Sequence, residues 1–540
     1  MSTPVSIHDG PYSTNTLTSK KPLILYFLII WISILPVLVE IYLFWITFQS
    51  NLYLVFLLLP FQIFLCYIIL VFSSLICAKA LLIIINLIHK PKEGVFKRVK
   101  SNKDYFYWNL RAIIKKWPIW VSNLINIQFF EIILLKWFGV KTSFSTSLSN
   151  GNIDTEFVEI GKNVIIGKGS FIKSSMIINN YLIIKKIVIS DDSIIGPYAY
   201  LQPGTHVGEN SVVNAYTITK FNQELAANHI YGGTPAKKIS MNDFHINDLI
   251  SEFEEKNNEN QTNHFDDSML NNQKEEKFIT KLHIYLTYFF LIYIISYGIP
   301  LLLLIYYVSN YFYPYMLEDS NLMILTCDNK SIFILCLTPV IFLALYLLNL
   351  FLMTIVIKFL YEFKFKNSLE GKYHWTQKSK EYEDYFIRSF LIRYVKWKIL
   401  KSPFPWLIKT VFNFIGNCDF GKNVVIEDLY IAKEFLSVGD NVYIGKAMLA
   451  NHLWDKNLYV KGIKINNNVV ISDGCCIAPG TIIENNVDLL PLSITSKGEK
   501  LAQNSIYFDA PICKITEDEL LKLFNLDLGK MKEFYGDMRC

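Results

Sequence analysis

The chain has 540 residues, and 52% of them are hydrophobic. A chain of this length predicts more than one domain. The apolar residues are concentrated in a few long runs, which are typical of membrane helices rather than of one large soluble core. The net charge of +5 is too small to indicate nucleic-acid binding, and the nine cysteines show no spacing typical of a metal site. Composition therefore favours a membrane protein with no nucleic-acid partner and no metal centre.

Four apolar runs are long enough to cross a bilayer. They form two pairs, the first at 22–48 and 52–88 and the second at 282–307 and 332–360. None has the alternation of a membrane β-strand, so all four are predicted to be helices. The second run is longer than one bilayer requires, and we expect its end to emerge into water near Lys79.

The charges that flank these runs predict their orientation. Basic residues precede the first helix and follow the second helix of each pair, whereas the loop inside the second pair holds Glu318, Asp319 and Asp328. Because positively charged flanks remain in the cytosol, both termini and both soluble regions are predicted to be cytosolic. The chain is thus predicted to be an integral membrane protein with four transmembrane helices.

The two halves of the chain repeat each other at a nearly constant spacing. Pro60 corresponds to Pro339 and Lys79 to Lys358, in the second helix of each half. An ordered series of such matches indicates a tandem duplication. A polar segment at 241–278, rich in Asn, Glu and Asp, separates the halves and predicts a disordered linker.

Apolar residues recur at every sixth position in each half, a period that neither an α-helix nor a lone strand explains. They are Ile160, Ile166, Ile172, Ile189, Ile195, Leu201, Val207 and Val213, and then Phe420, Ile426, Val438, Ile444, Ile465, Ile471, Ile477, Ile483 and Leu489. This period predicts a parallel β-helix with three strands per coil, in which these residues point inward and glycines allow tight corners. The period is interrupted once in each half, after Ile172 and after Ile444, and each interruption predicts a projecting loop.

Each repeat region ends in a further motif. The first ends in Gly-Thr-Pro-Ala-Lys-Lys-Ile at 233–239, and the second ends in a degraded version at 509–515. These regions resemble the hexapeptide-repeat acyltransferases, the galactoside and maltose acetyltransferases in particular. The resemblance implies a left-handed parallel β-helix of the trimeric LpxA-like class. The alternation of helix pairs and repeats also resembles the membrane C-terminal region of poly-lysine synthetase-type non-ribosomal peptide synthetases.

The resemblance also implies a co-substrate and partners. In these acyltransferases the end motif lies near acyl-CoA, so Pro235, Lys237 and Lys514 are expected to contact an acyl-CoA or another acyl thioester, with no cofactor bound. Enzymes of this fold usually build their sites between subunits. We therefore expect a homo-oligomer or an internal pairing of the two β-helices. The other expected partners are the lipid bilayer and a small-molecule acyl acceptor.

A histidine in the second interruption is the predicted general base. His452 precedes the hexad Ile-Asn-Asn-Asn-Val at 465–469 as the catalytic histidine does in acetyltransferases of this fold, and histidine titrates near neutral pH. Asp455 is expected to hold the ring tautomer, and Glu434 to orient the base or the acceptor. The first half has Lys-Ser-Ser at 173–175 in the aligned place, with Ser174 at the position that matches His452. The absence of a histidine there predicts a silent copy.

The chain is thus divided into a cytosolic tail, two transmembrane helix pairs, two amphipathic juxtamembrane segments, two β-helix domains, a linker and a C-terminal helix. In chain order the bounds are 1–21 (tail), 22–89 (helix pair), 90–140 (juxtamembrane), 141–240 (β-helix), 241–278 (linker), 279–361 (helix pair), 362–414 (juxtamembrane), 415–515 (β-helix) and 516–540 (C-terminal helix). The juxtamembrane helices are expected to lie on the membrane surface, with tryptophans as anchors. The alternatives are that His452 is an ordinary loop residue, and that the protein is a non-catalytic scaffold or a partner of a peptide synthetase acting in trans.

Overall fold

The computed structural model describes most of the chain outside the predicted tail, linker and outer loop. The described residues are 22–99, 101–124, 128–148, 151–178, 181–242, 282–317, 329–365, 370–374, 380–416, 418–427, 429–430, 434–455 and 457–529. The loop acids Glu318, Asp319 and Asp328 lie outside these ranges, as does nearly all of the linker predicted at 241–278.

The helices follow the predicted duplication. Those of the first half are α1 (Pro22–Phe48), α2 (Leu52–Ile88), α3 (Lys103–Ser122) and α4 (Gln128–Phe138). Those of the second half are α5 (Leu282–Tyr307), which continues as a π-helical segment (Val308–Leu317), then α6 (Asn329–Phe365), α7 (Lys380–Leu400), α8 (Ile408–Ile415) and α9 (Glu517–Phe524). Within the described ranges, four helical segments are long and apolar enough to cross a membrane, and they coincide with the four predicted runs.

Short strands form the rest of the first half. They are β1 (Gly94–Lys97), β2 (Ser147–Leu148), β3 (Asn152–Ile153), β4 (Val158–Ile160), β5 (Ile165–Ile166), β6 (Phe171–Ile172), β7 (Ser175–Ile178), β8 (Tyr181–Ile184), β9 (Ile187–Ile189), β10 (Ile194–Ile195), β11 (Tyr200–Leu201), β12 (His206–Val207), β13 (Val212–Val213), β14 (Glu224–Leu225), β15 (His229–Gly232) and β16 (Lys237–Met241).

The strands of the second half repeat this series. They are β17 (Gly371–His374), β18 (Cys418–Phe420), β19 (Val425–Ile426), β20 (Leu429–Tyr430), β21 (Leu436–Val438), β22 (Tyr443–Ile444), β23 (Ala447–Leu449), β24 (His452–Asp455), β25 (Asn457–Val460), β26 (Ile463–Ile465), β27 (Val470–Ile471), β28 (Cys476–Ile477), β29 (Ile482–Ile483), β30 (Val487–Leu489), β31 (Lys500–Leu501), β32 (Ser505–Phe508) and β33 (Cys513–Ile515).

Each half contains a three-sided parallel β-helix, called here the first and the second solenoid. The faces of the first solenoid are the sheets β16-β15-β13-β10-β5-β2, β11-β6-β3 and β14-β12-β9-β4. Those of the second are β18-β21-β26-β29-β31, β19-β22-β27-β30-β32-β33 and β20-β23-β28. Ile195 pairs in parallel with Val213, so one coil takes three hexads. Each solenoid ends in one antiparallel strand.

The predicted inward positions are confirmed, because every apolar residue of the six-residue series is at most 6% exposed. Glycines such as Gly204 and Gly480 take the left-handed conformation at some corners, as expected, but asparagine is the commonest residue there, as at Asn441 and Asn468. Gly196 instead permits close packing of coils, since a β-carbon there would lie 2.5 Å from the backbone nitrogen of Ala215.

Both interruptions form projecting β-hairpins. The first hairpin, β7–β8, adds β1 as a third antiparallel strand, and the second hairpin, β24–β25, adds β17 in the same way. The second interruption begins later than expected, because β23 still belongs to the solenoid and Leu449 is fully buried in it. The six-residue period does not predict this strand, because the residue six positions after Ile444 is Ala450, which does not have a large apolar side chain.

Helix α2 continues past Lys79 to Ile88, and the Lys79 ammonium donates to the carbonyl of Trp137 on α4 (2.7 Å). The emergence of this helix into water near Lys79 stays a prediction, whereas the segment after the helix differs from expectation. Helix α3 is helical as predicted but is buried rather than amphipathic. Its Trp117, an expected surface anchor, donates from Nε1 to the Ser33 hydroxyl of α1 (2.8 Å). The solenoid covers the helix face that was expected to meet water.

The two solenoids pack against each other. Lys446 of the second donates to the Asn152 side chain of the first (2.6 Å). Helix α9 also joins them, because the Phe221 amide donates to the carbonyl of Phe524 (2.9 Å). The buried Phe524 of this predicted C-terminal helix packs in one apolar cluster with Tyr200 of the first solenoid.

Candidate active site

The predicted base, His452, begins the second hairpin. It is half-buried, and its ring lies 5.7 Å from that of Tyr385 on α7. Its Nδ1 lies 3.1 Å from Oδ1 of Asn451, whose Nδ2 donates to the carbonyl of Glu434 (2.9 Å). Because that carbonyl can only accept, the Asn451 amide is oriented with its oxygen toward the imidazole. The arrangement selects the tautomer with a proton on Nδ1 and puts the basic lone pair on Nε2.

The Glu434 carboxylate is engaged elsewhere. It is 2% exposed, and its two oxygens accept from Nε and Nη2 of Arg388 at 2.8 and 3.2 Å. The Tyr361 hydroxyl also donates to it (3.2 Å). Glu434 is linked to His452 through its backbone carbonyl and Asn451. Its role in orienting the base or the acceptor stays a prediction. Sequence spacing could not show the pair because its members are 46 residues apart.

The other predicted catalytic residue, Asp455, is the last residue of β24. Its backbone is paired with that of Asn457 across the hairpin turn. Its side chain lies outside the described part of the structure, so its role in holding the imidazole tautomer stays a prediction.

The predicted acyl-CoA residues lie in the terminal hairpins of the two solenoids. Pro235 follows a cis peptide bond in the turn before β16, and Pro511 does so in the turn before β33. The second end motif, which matches the acyltransferase sequence less well, therefore has its proline in the same place as the first. Lys237 and Lys514 are both exposed but are not counterparts. Lys514 instead corresponds to Lys238, since both pair with the tyrosine of the preceding strand.

The counterpart of His452 in the first half is Ser175. Each begins its hairpin, with Ser175 opposite Ile184 and His452 opposite Val460. Sequence alignment pairs Ser174 with the histidine, which is one residue out of register. Ser174 instead donates to a backbone carbonyl (2.6 Å), that of the residue equivalent to Glu434, and so occupies the place of Asn451.

The first hairpin faces a cluster of charges between the solenoids, which sequence analysis missed. Ser175 donates to Asp154 (2.9 Å), and the buried ammonium of Lys173 lies 3.6 Å from Asp154 and 4.0 Å from Asp473 of the second solenoid. Burial raises the pKa of Asp154, although Lys173 opposes this. The adjoining cleft, which Tyr443 also lines, has a volume of only about 20 Å³, so neighbouring side chains largely fill the first site.

Comparison with known proteins identifies relatives for part of the chain. No protein-family model matches it. Delta-poly-L-ornithine synthetase of Acinetobacter baumannii (strain AB307-0294) is 28% identical over 140 residues, which cover 25% of this chain and 10% of the synthetase. YvoF of Bacillus subtilis (strain 168), provisionally named an acetyltransferase, is 28% identical over 101 residues, which cover 19% of this chain and 58% of YvoF.

Among solved structures, a hexapeptide-repeat-containing acetyltransferase from Vibrio cholerae is similar at 18% identity and a TM-score of 0.18. The match covers 23% of this chain and 85% of that protein, and its TM-score is too low to support a functional argument. The sequence matches confirm the predicted resemblance to hexapeptide-repeat acyltransferases and to peptide-synthetase-type proteins. This chain spans less than two thirds of the length of either curated relative.

Proposed function

We propose that the protein is a membrane-bound acyltransferase that moves an acyl group from a cytosolic thioester to a hydroxyl or amine. The observation that carries this proposal is the anchored imidazole of His452, whose Nδ1 contacts Asn451 and whose Nε2 carries the basic lone pair. A hexapeptide-repeat relative named for acetyl transfer supports the same reaction class.

In the proposed reaction, Nε2 of His452 takes a proton from the acceptor as its oxygen or nitrogen attacks the thioester carbonyl. A carbon–oxygen or carbon–nitrogen bond forms, the carbon–sulfur bond breaks, and the released thiolate takes up a proton. Asp455 assists by holding the tautomer. Acyl-CoA is the proposed donor, with Pro235, Lys237 and Lys514 at the solenoid ends as its contacts.

Transfer of a labelled acetyl group from acetyl-CoA by the purified full-length chain tests this function. We expect mass spectrometry to detect an acylated product from a panel of amines and alcohols, with release of free coenzyme A in equal amount. Absence of transfer to every acceptor would contradict the proposal.

A non-catalytic scaffold is the second candidate function. The packing of the first solenoid favours a scaffold role for the first half, because side chains largely fill the space beside Ser175. In addition, the residue at the place of His452 in that half is a serine. The same acyl-transfer assay separates the two candidates. A stand-alone partner of a peptide synthetase acting in trans is a third candidate, favoured by the similarity to the poly-ornithine synthetase.

We also propose that both solenoids lie in the cytosol. Cysteine labelling in sealed vesicles tests this with Asn258→Cys in the linker and Asp319→Cys in the outer loop, each in a chain without other reactive cysteines. Because basic residues flank the solenoid side of each helix pair, we expect Asn258→Cys to react only with cytosolic reagent and Asp319→Cys only from the opposite side. Labelling of the linker from the non-cytosolic side would contradict this orientation.

A further inference from the structure

A cavity of about 200 Å³ lies where the last turns of α2 meet α3 and the first solenoid. Lys79, Leu82 and Asn86, at successive turns of one face of α2, line one side. Arg111 and Lys115, one turn apart on α3, line another side, and Glu156 of the solenoid completes the wall. The volume equals that of several water molecules, so the cavity can hold a small polar group. It is distinct from the site around His452.

The cavity is lined by more positive than negative groups. The Lys115 ammonium lies 2.6 Å from the Glu156 carboxylate, and Arg111 Nε lies 3.1 Å from the same carboxylate oxygen. Lys79, the third cation, donates to the carbonyl of Trp137, which carries no net charge. Three cations and one carboxylate therefore line the cavity, and the Asp154 carboxylate also acts on Lys115 from outside the lining. Burial lowers the pKa of Lys115 in spite of the carboxylate beside it, so Glu156 does not fully compensate the buried charge.

Among the described residues that line the cavity, three buried polar atoms lack hydrogen-bond partners, on Asn86 (Oδ1), Arg111 and Glu156. Arg111 is 2% exposed, and its Nη1 has no acceptor. The second carboxylate oxygen of Glu156, Oε2, has no donor. A buried charged donor without a partner costs more than an ordinary lost hydrogen bond. An anion with a hydroxyl beside it would accept from Arg111 and donate to Glu156.

The corresponding junction between helix and solenoid in the second half shows how its charges are balanced without a bound anion. Its equivalent ion pair, Arg388 with Glu434, holds one positive and one negative charge. The residue that corresponds to Leu82 is Tyr361, whose hydroxyl donates to Glu434. When Asp104-Tyr105-Phe106 is aligned with Asp384-Tyr385-Phe386, Arg388 lies at the position of Trp108, one turn before that of Arg111. Lys115 then corresponds to Val395, which is fully buried. The first half therefore differs by one added cation and by the loss of the side chain that completes the carboxylate's contacts.

We propose that this cavity, between α2, α3 and the first solenoid, is a binding site for a phosphate ester, with Arg111, Lys115 and Lys79 as its cationic groups. Phosphate suits a cluster of Arg and Lys donors that surrounds a small space. The last turn of α2 exposes Leu87 and Ile88 to 79% and 66%, an apolar surface on which a lipid chain could lie. The phosphate comes from a lipid headgroup or from a soluble ester, and both sources present the same chemistry.

Thermal unfolding of the full-length chain in uncharged detergent tests the proposal. The added probes are phosphatidylglycerol, phosphatidylcholine, and inorganic phosphate compared with chloride at equal ionic strength. A ligand that binds only the folded state raises the melting temperature in a saturable way. We expect phosphatidylglycerol to do so more than phosphatidylcholine if the source is lipid, and inorganic phosphate to do so if the source is soluble. No saturable stabilisation by any phosphate probe would overturn the proposal.

Two variants that copy the second half locate the effect. Lys115→Val removes a cation, and Leu82→Tyr fills the space and completes the contacts of Glu156 without changing charge. Because Lys115→Val removes a charged donor and Leu82→Tyr occupies the space, each variant is expected to raise the apparent Kd of the stabilising probe roughly tenfold or more. Both should remain folded, since the second half packs Val395 and Tyr361 at the corresponding positions.

Lys141→Gln is the matched control, because Lys141 is an exposed lysine at the same end of the solenoid, with its side chain 79% exposed and paired with Glu159. We expect its Kd to equal that of the unmodified chain. An equal loss in the control, or an unchanged Kd in both cavity variants, would overturn the assignment of the site.

Discussion

Replacement of His452 by alanine is expected to lower the turnover of acyl transfer by roughly 10²–10⁴-fold, the usual contribution of a general base. The fold should persist, because His452 lies on the hairpin β24–β25, outside the solenoid core. Turnover is measured with a confirmed acceptor, since thioester loss alone reports hydrolysis. Unchanged turnover in His452→Ala would reject its role as the base.

Two further variants separate catalysis from packing. Ser175→Ala, at the same place in the first hairpin, should leave turnover nearly unchanged, because the cleft beside it is too small for a substrate. Asn451→Leu removes the acceptor for Nδ1 and should reduce kcat by less than the loss of the ring does. A shift of the pH profile in Asn451→Leu would identify Asn451 as a positioning residue rather than a structural one.

A carboxylate in the solenoid interior should unfold the first half. Ile195→Asp places an acidic group where the native side chain is fully buried, and the cost is expected to be roughly 4 kcal/mol or more. That is a large part of the stability of an ordinary domain. A marked fall in the melting temperature of the purified chain, or faster proteolysis, would show it.

The neighbouring residue provides the control. Ile194 belongs to the same strand but faces outward and is 38% exposed, so Ile194→Asp should change the free energy of unfolding by about 1 kcal/mol or less. Equal melting temperatures for the two variants would contradict the inward and outward assignment of this strand.

Periodic features of the fold could be predicted from the sequence. The inward positions follow from the six-residue period. A shift of the strands by one residue would expose the apolar side chains to water, so the period allows only one strand register. The transmembrane helices follow from length and hydropathy in the same way. His452 stands out as a candidate because it is a titratable residue in an interruption of the period.

Contacts between distant segments could not be predicted. The Arg388–Glu434 pair depends on how α7 lies on the second solenoid, and no pattern along the chain encodes that angle. The burial of α3 could not be predicted for the same reason, because charged residues such as Arg111 and Lys115 are typical of a helix that faces water. The one-residue error at Ser174 arose because the length of each hairpin is variable, and only strand pairing determines which residue begins it.

The burial of the first hairpin against the second solenoid has a consequence for how the protein assembles and diverges. Both surfaces belong to one polypeptide, so their association is intramolecular and dilution does not reverse it. In a ring of identical subunits any substitution appears at every interface at once. Here a substitution occurs once, so Ser175 and His452 can occupy equivalent places with different chemistry. Ser175 contributes to the contact between the domains, whereas His452 is the proposed base.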